Sequence, residues 1–491
     1  MPLRLSNTLS GKLEEFTTLA PGVVTMYSCG PTVYDYGHIG NFRTFVFVDL
    51  LRRFLRQSGY RLQHVMNITD VDDKIIRNAA QLGLGVREYA SKYEQAFLED
   101  MGTLNLEPPE QLARATDFVP EMARFIAALA EKGYAYKTED GSYYFRIAKF
   151  PEYGKLSKKD FAGMEVGARV DVDEYEKDNA RDFALWKSPK PGEAKWETEI
   201  GAGRPGWHIE CSVMARELLG DSFDVHLGGE DLVFPHHENE IAQTEALTGK
   251  PMARFWVHCR FLLVEGEKMS KKLGNFYTLR DLMLMGHKAS SIRFLLASVP
   301  YTKQLNFTFD GLKQAAQSVE RLRNFKLRLE TAKFASGSSD RFASLGEQTI
   351  LKMRSGLEDD LNTAQALAAV FDMVREANAA ADSGEVKQGD IAPLLHALAK
   401  FDDVFDVIRD GDADKSRQVM EWAKSAGKLS AEQAEALEHT LNDAQVEELI
   451  AQRNEAKRAR NFSKSDALRT QLADAGIILE DTKDGSRWKR K

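Results

Sequence analysis

The sequence predicts an α/β protein: a parallel sheet formed by two separated halves of the chain, an insertion between the halves, and an α-helical region after them. Three observations lead to this prediction. A strand, a glycine-rich loop, a helix and a second strand follow one another within the first 80 residues, a similar pattern returns near residue 224, and strand-like runs become rare after about residue 310. A strand–helix–strand unit is the building block of a parallel sheet.

The first half begins with a strand over residues 23–27, where residues that favour extended structure are concentrated. Cys29, Gly30 and Pro31 end that strand. Apolar side chains then recur at helical spacing from residue 41 to about residue 58, and residues 62–67 predict the second strand. These elements form one strand–helix–strand unit.

The α/β pattern stops near Glu107-Pro108-Pro109, and residues 110–205 are predicted to be an insertion. It combines a predicted helix, a predicted strand and a polar stretch, over residues 119–132, 142–146 and 157–182. The second half of the sheet then supplies two predicted strands with a helix between them, over residues 224–227, about 233–247, and 261–264. A basic loop, residues 268–272, follows the last strand.

The region after residue 310 is predicted to be helical because it is rich in Ala, Leu, Glu, Lys and Arg at helical spacing. The predicted helical segments are residues 312–334, 347–381, 393–408 and 430–460. Residues 335–340 and 410–415 are interpreted as loops. One short strand is predicted over residues 476–481, close to a basic tail.

The composition is that of a globular protein. The chain has 491 residues, of which 43% are hydrophobic and 29% charged, which excludes fibrous and wholly disordered classes. The net charge of −8 argues at first against a nucleic-acid partner. However, residues 451–491 hold 11 basic and six acidic residues, so the overall charge hides a basic tail that could meet phosphate.

The cysteines and the hydropathy indicate the compartment. Three cysteines in so long a chain, Cys29, Cys211 and Cys259, do not form a disulfide framework and fit a reducing cytosol. The first 16 residues lack the apolar core of a signal peptide, and no apolar run approaches the length of a membrane span. We therefore expect a cytoplasmic protein without a membrane partner.

Two loops have the residue types of a nucleotide site. Gly37-His38-Ile39-Gly40-Asn41 lies where a predicted strand turns into a helix, and a helix N-terminus binds phosphate well. The loop Lys268-Met269-Ser270-Lys271-Lys272 could neutralise charge that develops on a leaving pyrophosphate. Taken singly, the first is more often an ordinary strand-to-helix turn and the second a solvated basic loop. Their pairing, one loop in each half of the sheet, favours function.

Four residues have the chemistry of a metal site. His236 and Glu240 are four apart on a predicted helix and so share a face, while Cys29 and Cys211 supply two thiols. The alternative is two buried structural cysteines and a surface His/Glu pair, which spacing alone favours because no Cys-x-x-Cys pair is present. Cys259 has no such context and is expected to be a core residue.

Taken together, these loops and candidate ligands resemble those of the cysteinyl-tRNA synthetase family of class I aminoacyl-tRNA synthetases. The matching stretches run in the expected order and reach the C-terminus: residues 27–35, His38-Ile39-Gly40-Asn41, residues 67–74, residues 206–212, residues 228–240, Lys268-Met269-Ser270-Lys271, residues 359–363, and residues 479–482 with Trp488. The resemblance implies a Rossmann-type catalytic domain with an inserted connective domain, an α-helical tRNA-binding domain and a small C-terminal segment. The implied ranges are 1–107 and 206–250 for the two catalytic halves, 108–205 for the insertion, 251–310 for a stem-contact region with the lysine loop, 311–440 for the helical bundle, and 441–491 for the anticodon-binding segment.

The resemblance also implies a zinc site and an amino-acid pocket. One zinc ion per chain would be held by Cys29, Cys211, His236 and Glu240, and the thiol of the substrate would become a further ligand. Because zinc prefers thiolate sulfur to a hydroxyl, the metal would select cysteine over serine. The implied substrate-binding residues are Gly30, Thr32, Trp207, His208, Asp231 and His237, and His226 would lie near them. Whether these histidines contact the substrate or orient metal ligands stays open.

The implied reaction joins cysteine to tRNA(Cys) in two steps, with ATP and Mg²⁺. His38, Asn41, Lys268 and Lys271 would be the catalytic residues. ATP would be bound by Gly37, His38, Gly40, Asn41, Gly229 and Lys271. Two residues depart from the class pattern, which often has His at position 41 and Ser at position 272, where this chain has Asn and Lys. The role carried over to Lys272 is therefore in question.

The implied tRNA contacts are Arg453, Arg458, Arg487 and Trp488, with Arg460 also suitable in type. Their alternative is a solvated basic helix and an anchoring aromatic residue. The closest rival function is a mycothiol-type ligase, which transfers cysteine to an amino sugar, but about 180 residues follow the catalytic half and favour tRNA. Further rivals are a synthetase-like binding protein without catalysis and a small-molecule adenylyltransferase. Nothing in the sequence forces a dimer, and we expect a monomer.

Overall fold

The catalytic half of the chain is built around one five-stranded parallel sheet. The structure is a computed structural model, and it describes residues 2–159, 182–190, 192–430, 441, 443–482 and 485–490. All neighbouring strands of the sheet are parallel, in the order Ala253–Cys259, Phe223–Gly229, Val23–Ser28, Arg61–Ile68 and Gln111–Arg114. Val23–Ser28, the first strand of this sheet in the sequence, is central, and the two halves of the chain extend the sheet in opposite directions. This confirms the predicted α/β class.

Helices connect the strands and cover the sheet. They are Ile39–Gln57, Asp73–Leu82, Val86–Thr103, Val119–Glu131, Trp207–Leu219 and Glu238–Thr248. Apolar side chains of the strands and of the helices Val119–Glu131, Trp207–Leu219 and Glu238–Thr248 pack into one large core cluster. A small antiparallel hairpin, Arg4–Asn7 with Lys12–Glu15, precedes the sheet.

Two strands of the parallel sheet lie outside the ranges predicted for it. Gln111–Arg114 pairs with Arg61–Ile68, although residues 108–205 were assigned to the insertion. Ala253–Cys259 pairs with Phe223–Gly229, although the second half was expected to end at residue 250. Both strands are edge strands. The four residues of the first, Gln-Leu-Ala-Arg, carry too little periodicity to indicate a strand.

The insertion itself forms a second, antiparallel sheet. Its strands are ordered Ala135–Lys137, Tyr143–Phe145, Phe183–Lys187, Gly201–Pro205 and Trp196–Thr198. Most of the polar stretch predicted over residues 157–182 lies outside the described residues. Pro205 ends the last of these strands in the sequence, and Trp207 begins the next helix of the catalytic half.

The lysine loop begins in the second strand of a three-stranded sheet made of Leu262–Val264, Glu267–Lys268 and Leu305–Phe307. The helices after it are Leu279–Leu284, Ala289–Ala297, Phe309–Thr331, Asp340–Glu358, Thr363–Asp382, Ile391–Phe405, Asp412–Ser425, Asp443–Arg458 and Phe462–Asp474. A helical region is therefore confirmed, and no helix among the described residues has the length and apolar character to cross a membrane.

Two details of this region were predicted wrongly. Residues 347–381 form two helices rather than one, because Asp360 and Leu361 adopt positive φ angles and end the first. The loop predicted over residues 410–415 contains the start of the helix Asp412–Ser425. The short strand predicted near the C-terminus is confirmed as Ile477–Thr482, and it pairs with a second strand, Gly485–Arg490, that was not predicted.

The chain divides into two compact units. The first comprises residues 1–279 and 291–408, and the second comprises residues 280–290 and 409–491. The second unit has a small core of its own, formed by Val446, Ile450, Leu472 and Ile477. The range predicted for the helical bundle, 311–440, is thus shared between the units.

Candidate active site and metal centre

The order of strands places a site at the carboxyl ends of the two central strands. Val23–Ser28 and Phe223–Gly229 are neighbours, and the chain extends the sheet outward from them in both directions. In open α/β sheets, ligands bind where the strand order reverses in this way. Cys29 directly follows the first of these strands, and Gly228 and Gly229 end the second.

Four buried donor groups meet at this point: Cys29, Cys211, His236 and Glu240. Their ligand atoms all lie within 4.8 Å of one another. The Sγ atoms of the two cysteines are 3.9 Å apart, Cys29 Sγ lies 3.8 Å from Glu240 Oε1, and His236 Nε2 lies 3.0 Å from the same oxygen. The structure thus brings together the residues that the sequence comparison implied.

The local reason for the His236–Glu240 contact differs from the prediction. The helix predicted over about 233–247 begins only at Glu238, and His236 lies in the preceding turn, Val233–His237. Phe234 is extended within that turn, with φ −143° and ψ 130°. The two side chains therefore meet at a helix N-terminus and not along one regular helix face.

The donor set fits a tetrahedral zinc ion. Zinc–ligand bonds of about 2.0–2.3 Å separate neighbouring ligand atoms by roughly 3–4 Å, and two thiolates, an imidazole and a carboxylate are ligands that zinc takes. A second group within the same distance limit combines Cys29 and Glu240 with His226 and His237. It omits the thiol of Cys211 and so offers one thiolate instead of two, and thiolate is a ligand that zinc prefers. The first group is therefore the better zinc site.

Three histidines contact the proposed ligands from outside. His226 Nε2 lies 2.7 Å from Glu240 Oε2, His237 Nε2 lies 3.2 Å from Cys29 Sγ, and His208 Nδ1 lies 2.9 Å from His236 Nδ1. His226 and His208 contact Glu240 and His236 through atoms other than Glu240 Oε1 and His236 Nε2, which lie 3.0 Å apart, whereas His237 contacts the sulfur of Cys29 itself. Hydrogen bonds of this kind fix the orientation of metal ligands. The geometry favours an orienting role for the three histidines.

Charge is balanced within the buried cluster. Burial would lower the pKa of His236, but Glu240 and Cys211 raise it to about 10. Burial would raise the pKa of Glu240, but His226 and His236 lower it to about 2. Burial would raise the pKa of Cys211, but its hydrogen bond with Cys29 and the charge of His236 lower it to about 6. The thiolate of Cys211 and the carboxylate of Glu240, the charged forms that bind a metal cation, are thus stabilised within the cluster.

A cavity of about 950 Å³ adjoins the cluster. Thr32, Trp207 and His208 line it, and Trp207 stacks on the ring of His236 at 4.3 Å between centroids. Its wall carries basic and acidic side chains together: Lys74, Arg77, Lys187, Lys190 and Arg204, with Asp72, Asp73, Glu193 and Glu210. Lys187 and Arg204 both pair with Asp73, and Arg204 also pairs with Glu193, so the charges of this wall are largely balanced.

Three other residues predicted to bind the substrate do not line this cavity. A Cβ atom on Gly30 would lie 1.8 Å from the carbonyl oxygen of Asn67, so the glycine permits close packing of the chain. His237 is fully buried between Cys29 and His258. Asp231 lies over Gly229, since a Cβ atom on that glycine would be 2.4 Å from Asp231 Oδ1. The geometry favours packing for Gly30 and orientation for His237.

The glycine-rich loop is locked by a capping box at the start of the helix Ile39–Gln57. His38 Nδ1 accepts a hydrogen bond from the backbone N–H of Asn41, and Asn41 Oδ1 accepts one from the backbone N–H of His38. Burial lowers the pKa of His38 to about 4, so its ring is neutral near pH 7. Because Nδ1 accepts, Nε2 carries the proton and is the free donor.

The lysine loop lies beside this helix N-terminus. Ile39 N–H donates to the Tyr277 carbonyl at 3.0 Å, and the ring of His38 packs edge-on against Phe276 at 5.2 Å. Lys271 Nζ forms an ion pair with Asp35 Oδ2 at 2.7 Å, which raises the lysine pKa. A Cβ atom on Gly40 would lie 3.2 Å from Met269 Cε. The structure therefore brings together the two loops that the sequence paired.

The other lysines of the loop are exposed. Lys268 Nζ lies 5.7 Å from the centre of the Phe261 ring. The backbone N–H of Lys272 donates to Ser270 Oγ, which caps the short turn Lys271–Leu273. The cap uses the backbone of residue 272 and not its side chain.

The predicted tRNA contacts lie in the second compact unit and differ among themselves. Arg458 and Arg460 are exposed. Arg453 is only 3% exposed and donates to Ser486 Oγ, so its observed contact joins a helix to the C-terminal hairpin, while its role as a tRNA contact stays a prediction. Trp488 packs against the small core and donates to Glu447 Oε1 at 2.6 Å. The side chain of Arg487 lies outside the described residues.

Two contacts of the site were missed from the sequence. His258, on the edge strand Ala253–Cys259, lies 2.8 Å from His237 through Nε2 and Nδ1. Asp35 pairs with Lys271 across 236 positions. The run Phe255-Trp256-Val257 before His258 is typical of a buried strand and could have placed this histidine at the same sheet edge. Cys259 is buried and outside both donor groups, as expected.

These features define the class of protein. A parallel sheet interrupted by an insertion, with paired His-Ile-Gly and Lys-Met-Ser-Lys loops, is the architecture of a class I aminoacyl-tRNA synthetase. Residues 15–317 match the family model of the class I (C) tRNA synthetase catalytic domain, residues 352–409 match a DALR domain, and residues 431–488 match the cysteinyl-tRNA ligase anticodon binding domain. The chain belongs to the cysteinyl-tRNA synthetase family.

Similar proteins agree with this family. The chain is 67% identical to the cysteine–tRNA ligase of Koribacter versatilis and 56% identical to that of Solibacter usitatus, in each case over 100% of both chains. Among solved structures, it resembles a Mycobacterium tuberculosis methionyl-tRNA synthetase complexed with methionyl-adenylate, with a TM-score of 0.55 at 16% identity over 83% of this chain and 92% of that one. The structural likeness concerns the fold alone.

Proposed function

We propose that the protein is an ATP-dependent cysteine–tRNA ligase in which a zinc ion selects the substrate thiol. The observation that carries this proposal is the meeting of Cys29, Cys211, His236 and Glu240 beside a cavity at the reversal point of the sheet. When bound, zinc supplies a Lewis acid that takes thiolate sulfur in preference to a hydroxyl. The remaining steps depend on side chains of the chain itself.

In the first step, the carboxylate oxygen of cysteine attacks the α-phosphorus of ATP. The bond between that phosphorus and the bridging oxygen of the β-phosphate breaks, and pyrophosphate leaves with Mg²⁺. His38 donates from Nε2 to a phosphate oxygen, and the positive end of the dipole of the helix that it caps stabilises the same charge. Lys268 and Lys271 stabilise the charge that develops on pyrophosphate.

The ion pair between Lys271 and Asp35 indicates how the lysine loop is held before ATP binds. Both side chains are substantially exposed, so the pair is worth little and is readily exchanged for a phosphate partner. Asn41 contributes through its cap on His38. Its amide group also stays close enough to the helix N-terminus to contact phosphate.

In the second step, a hydroxyl oxygen of the terminal adenosine of tRNA(Cys) attacks the adenylate carbonyl carbon. The bond from that carbon to the AMP oxygen breaks, and the hydroxyl proton leaves with the departing AMP. Lys74 and Arg77, on the wall of the cavity, supply positive charge for the phosphates of the acceptor end. The family match over residues 431–488 supports tRNA rather than an amino sugar as the acceptor.

The direct experiment supplies the protein with ATP, labelled cysteine and either tRNA or an amino sugar. We expect label in acid-precipitable tRNA and none in the amino sugar. We also expect discrimination against serine in pyrophosphate exchange to exceed the roughly 100-fold that an ordinary pocket achieves between near-isosteres. Label in the amino sugar alone would favour the mycothiol-type ligase.

A further inference from the structure

A chain of hydrogen bonds runs from the N-terminal hairpin to the sulfur of Cys29. Thr8 Oγ1 lies 2.7 Å from His258 Nδ1, His258 Nε2 lies 2.8 Å from His237 Nδ1, and His237 Nε2 lies 3.2 Å from Cys29 Sγ. Every link has hydrogen-bond length. Thr8 is therefore connected, through two histidines, to Cys29, a proposed metal ligand.

The surrounding structure holds this chain in place. The Thr8 backbone N–H donates to the carbonyl of Trp256, on the edge strand of the parallel sheet, at 2.8 Å. The neighbouring Asn7 side chain accepts from the N–H of Trp256 and donates to the carbonyl of Arg254. His258 is 8% exposed and His237 fully buried. A fixed backbone and buried rings leave each partner little choice of orientation.

Gly228 makes room for the central ring. It lies opposite His258 in the register of the two strands, and a Cβ atom there would be 2.7 Å from His237 Cε1. Any larger residue would push His237 away from Cys29. The position of the ring is thus set from both neighbouring strands.

The direction of these hydrogen bonds follows from the thiolate of Cys29, at which they end. A metal-bound thiolate accepts hydrogen bonds and donates none, so His237 must donate to Cys29 from Nε2. A neutral imidazole with its proton on Nε2 accepts at Nδ1, so His258 donates from Nε2 and accepts at Nδ1. A hydroxyl that donates is then required at the start of the chain, and Thr8 supplies it.

We propose that Thr8 is a positioning residue for the metal centre: its hydroxyl sets the direction of the hydrogen bonds through His258 and His237 and so aims an N–H at the sulfur of Cys29. The inference rests on the proposed function, because it requires Cys29 to bind a metal. It assigns a role to a residue far from the cavity, in a hairpin that contributes no ligand.

The test compares Thr8→Val, which keeps the shape and removes the hydroxyl, with Thr8→Ser, which keeps the hydroxyl. Zinc affinity is measured by competition with a chelator, and cobalt is substituted to record the thiolate-to-cobalt absorption band. We expect Thr8→Val to bind zinc about fivefold more weakly, the effect of one hydrogen bond, and to shift the band. Thr8→Ser should stay within about twofold of the unaltered protein, since a hydroxyl donor remains.

The outcomes separate the two proposals. If the unaltered protein binds zinc and Thr8→Val matches it in both affinity and cobalt band, the role of Thr8 is overturned while the metal site stands. Equal losses in Thr8→Val and Thr8→Ser would also overturn it, because packing rather than the hydroxyl would then matter. If the unaltered protein binds neither metal through its cysteines, the zinc proposal fails, and the inference fails with it.

Discussion

At the scale of single residues, His38 shows how a backbone contact determines chemistry. Its Nδ1 is occupied by the N–H of Asn41, and burial lowers its pKa to about 4. The side chain therefore acts as a neutral donor through Nε2. Asn41, the departure from the class pattern, fits this role because its amide oxygen accepts the N–H of His38 without a charge.

The first prediction concerns pH. Because His38 is neutral above about pH 5, the KM for ATP in cysteine-dependent pyrophosphate exchange should show no step near pH 6.5 that belongs to this ring. His38→Asn should lower kcat at every pH and leave the shape of the profile unchanged. A step in the unaltered protein near pH 6.5 that disappears in His38→Asn would contradict the neutral assignment.

The second prediction compares two adjacent lysines. Lys271→Ala should lower the rate of pyrophosphate exchange about 100-fold or more, since it removes a charge from the transition state. Lys272→Ser should keep the rate within a few-fold, because the backbone of that residue caps the turn and the substitution leaves the cap intact. Cysteine binding, measured directly, should change little in either variant. A 100-fold loss in Lys272→Ser would show that this side chain has an active role.

Site residues could be predicted where their types or short motifs are visible in the sequence. Two thiols, a His/Glu pair and two paired loops could be recognised. The contacts of Asp35 with Lys271 and of Thr8 with His258 could not be recognised, because each joins residues more than 200 positions apart in the sequence. Burial of Arg453 was equally invisible, since the sequence around it is polar and charged.

At the scale of elements, the long helices and the central strands were predicted well because they carry clear periodicity. The errors fall at edges and turns. The strand Gln111–Arg114 is too short for a pattern, and the break after Glu358 depends on positive φ angles at Asp360 and Leu361 that non-glycine residues seldom adopt. The turn before Glu238 is another such case, and it is the one that positions His236.

The third prediction tests the close approach of two strand ends. Gly30→Ala places a methyl group 1.8 Å from the carbonyl of Asn67, where backbone must move, and should lower the free energy of unfolding by about 2 kcal/mol or more. The matched control is Gly102→Ala, which has open space around it within the helix Val86–Thr103 and should be neutral or stabilising by up to about 1 kcal/mol. Urea unfolding measures both. Equal stability of Gly30→Ala and the unaltered protein would contradict the close packing.

At the scale of the whole molecule, the charged residues are distributed unevenly along the sequence. The chain is acidic overall, yet its last 41 residues are basic. A polyanion is therefore expected at this basic tail. The net charge alone predicted the opposite, because it averages over the chain.

The fourth prediction concerns the basic tail. Arg458→Gln should raise the KM for tRNA a few-fold and reduce the salt dependence of tRNA binding by about one charge, with pyrophosphate exchange unchanged, because the residue is exposed. The comparison is Arg453→Gln, which removes a buried hydrogen bond to Ser486 and should destabilise the second unit. An unchanged KM and salt slope in Arg458→Gln would exclude this residue from the tRNA contact.

The central claim is that two of the three cysteines hold a zinc ion that selects the substrate. The most direct measurement is zinc content together with cysteine-dependent pyrophosphate exchange, made on the same samples of the unaltered protein, Cys211→Ser and Cys259→Ser. We expect one zinc per chain and full exchange in the unaltered protein and in Cys259→Ser. Cys211→Ser should lose both, because Cys211 belongs to the donor group and Cys259 does not. Normal exchange by zinc-free Cys211→Ser would contradict the account.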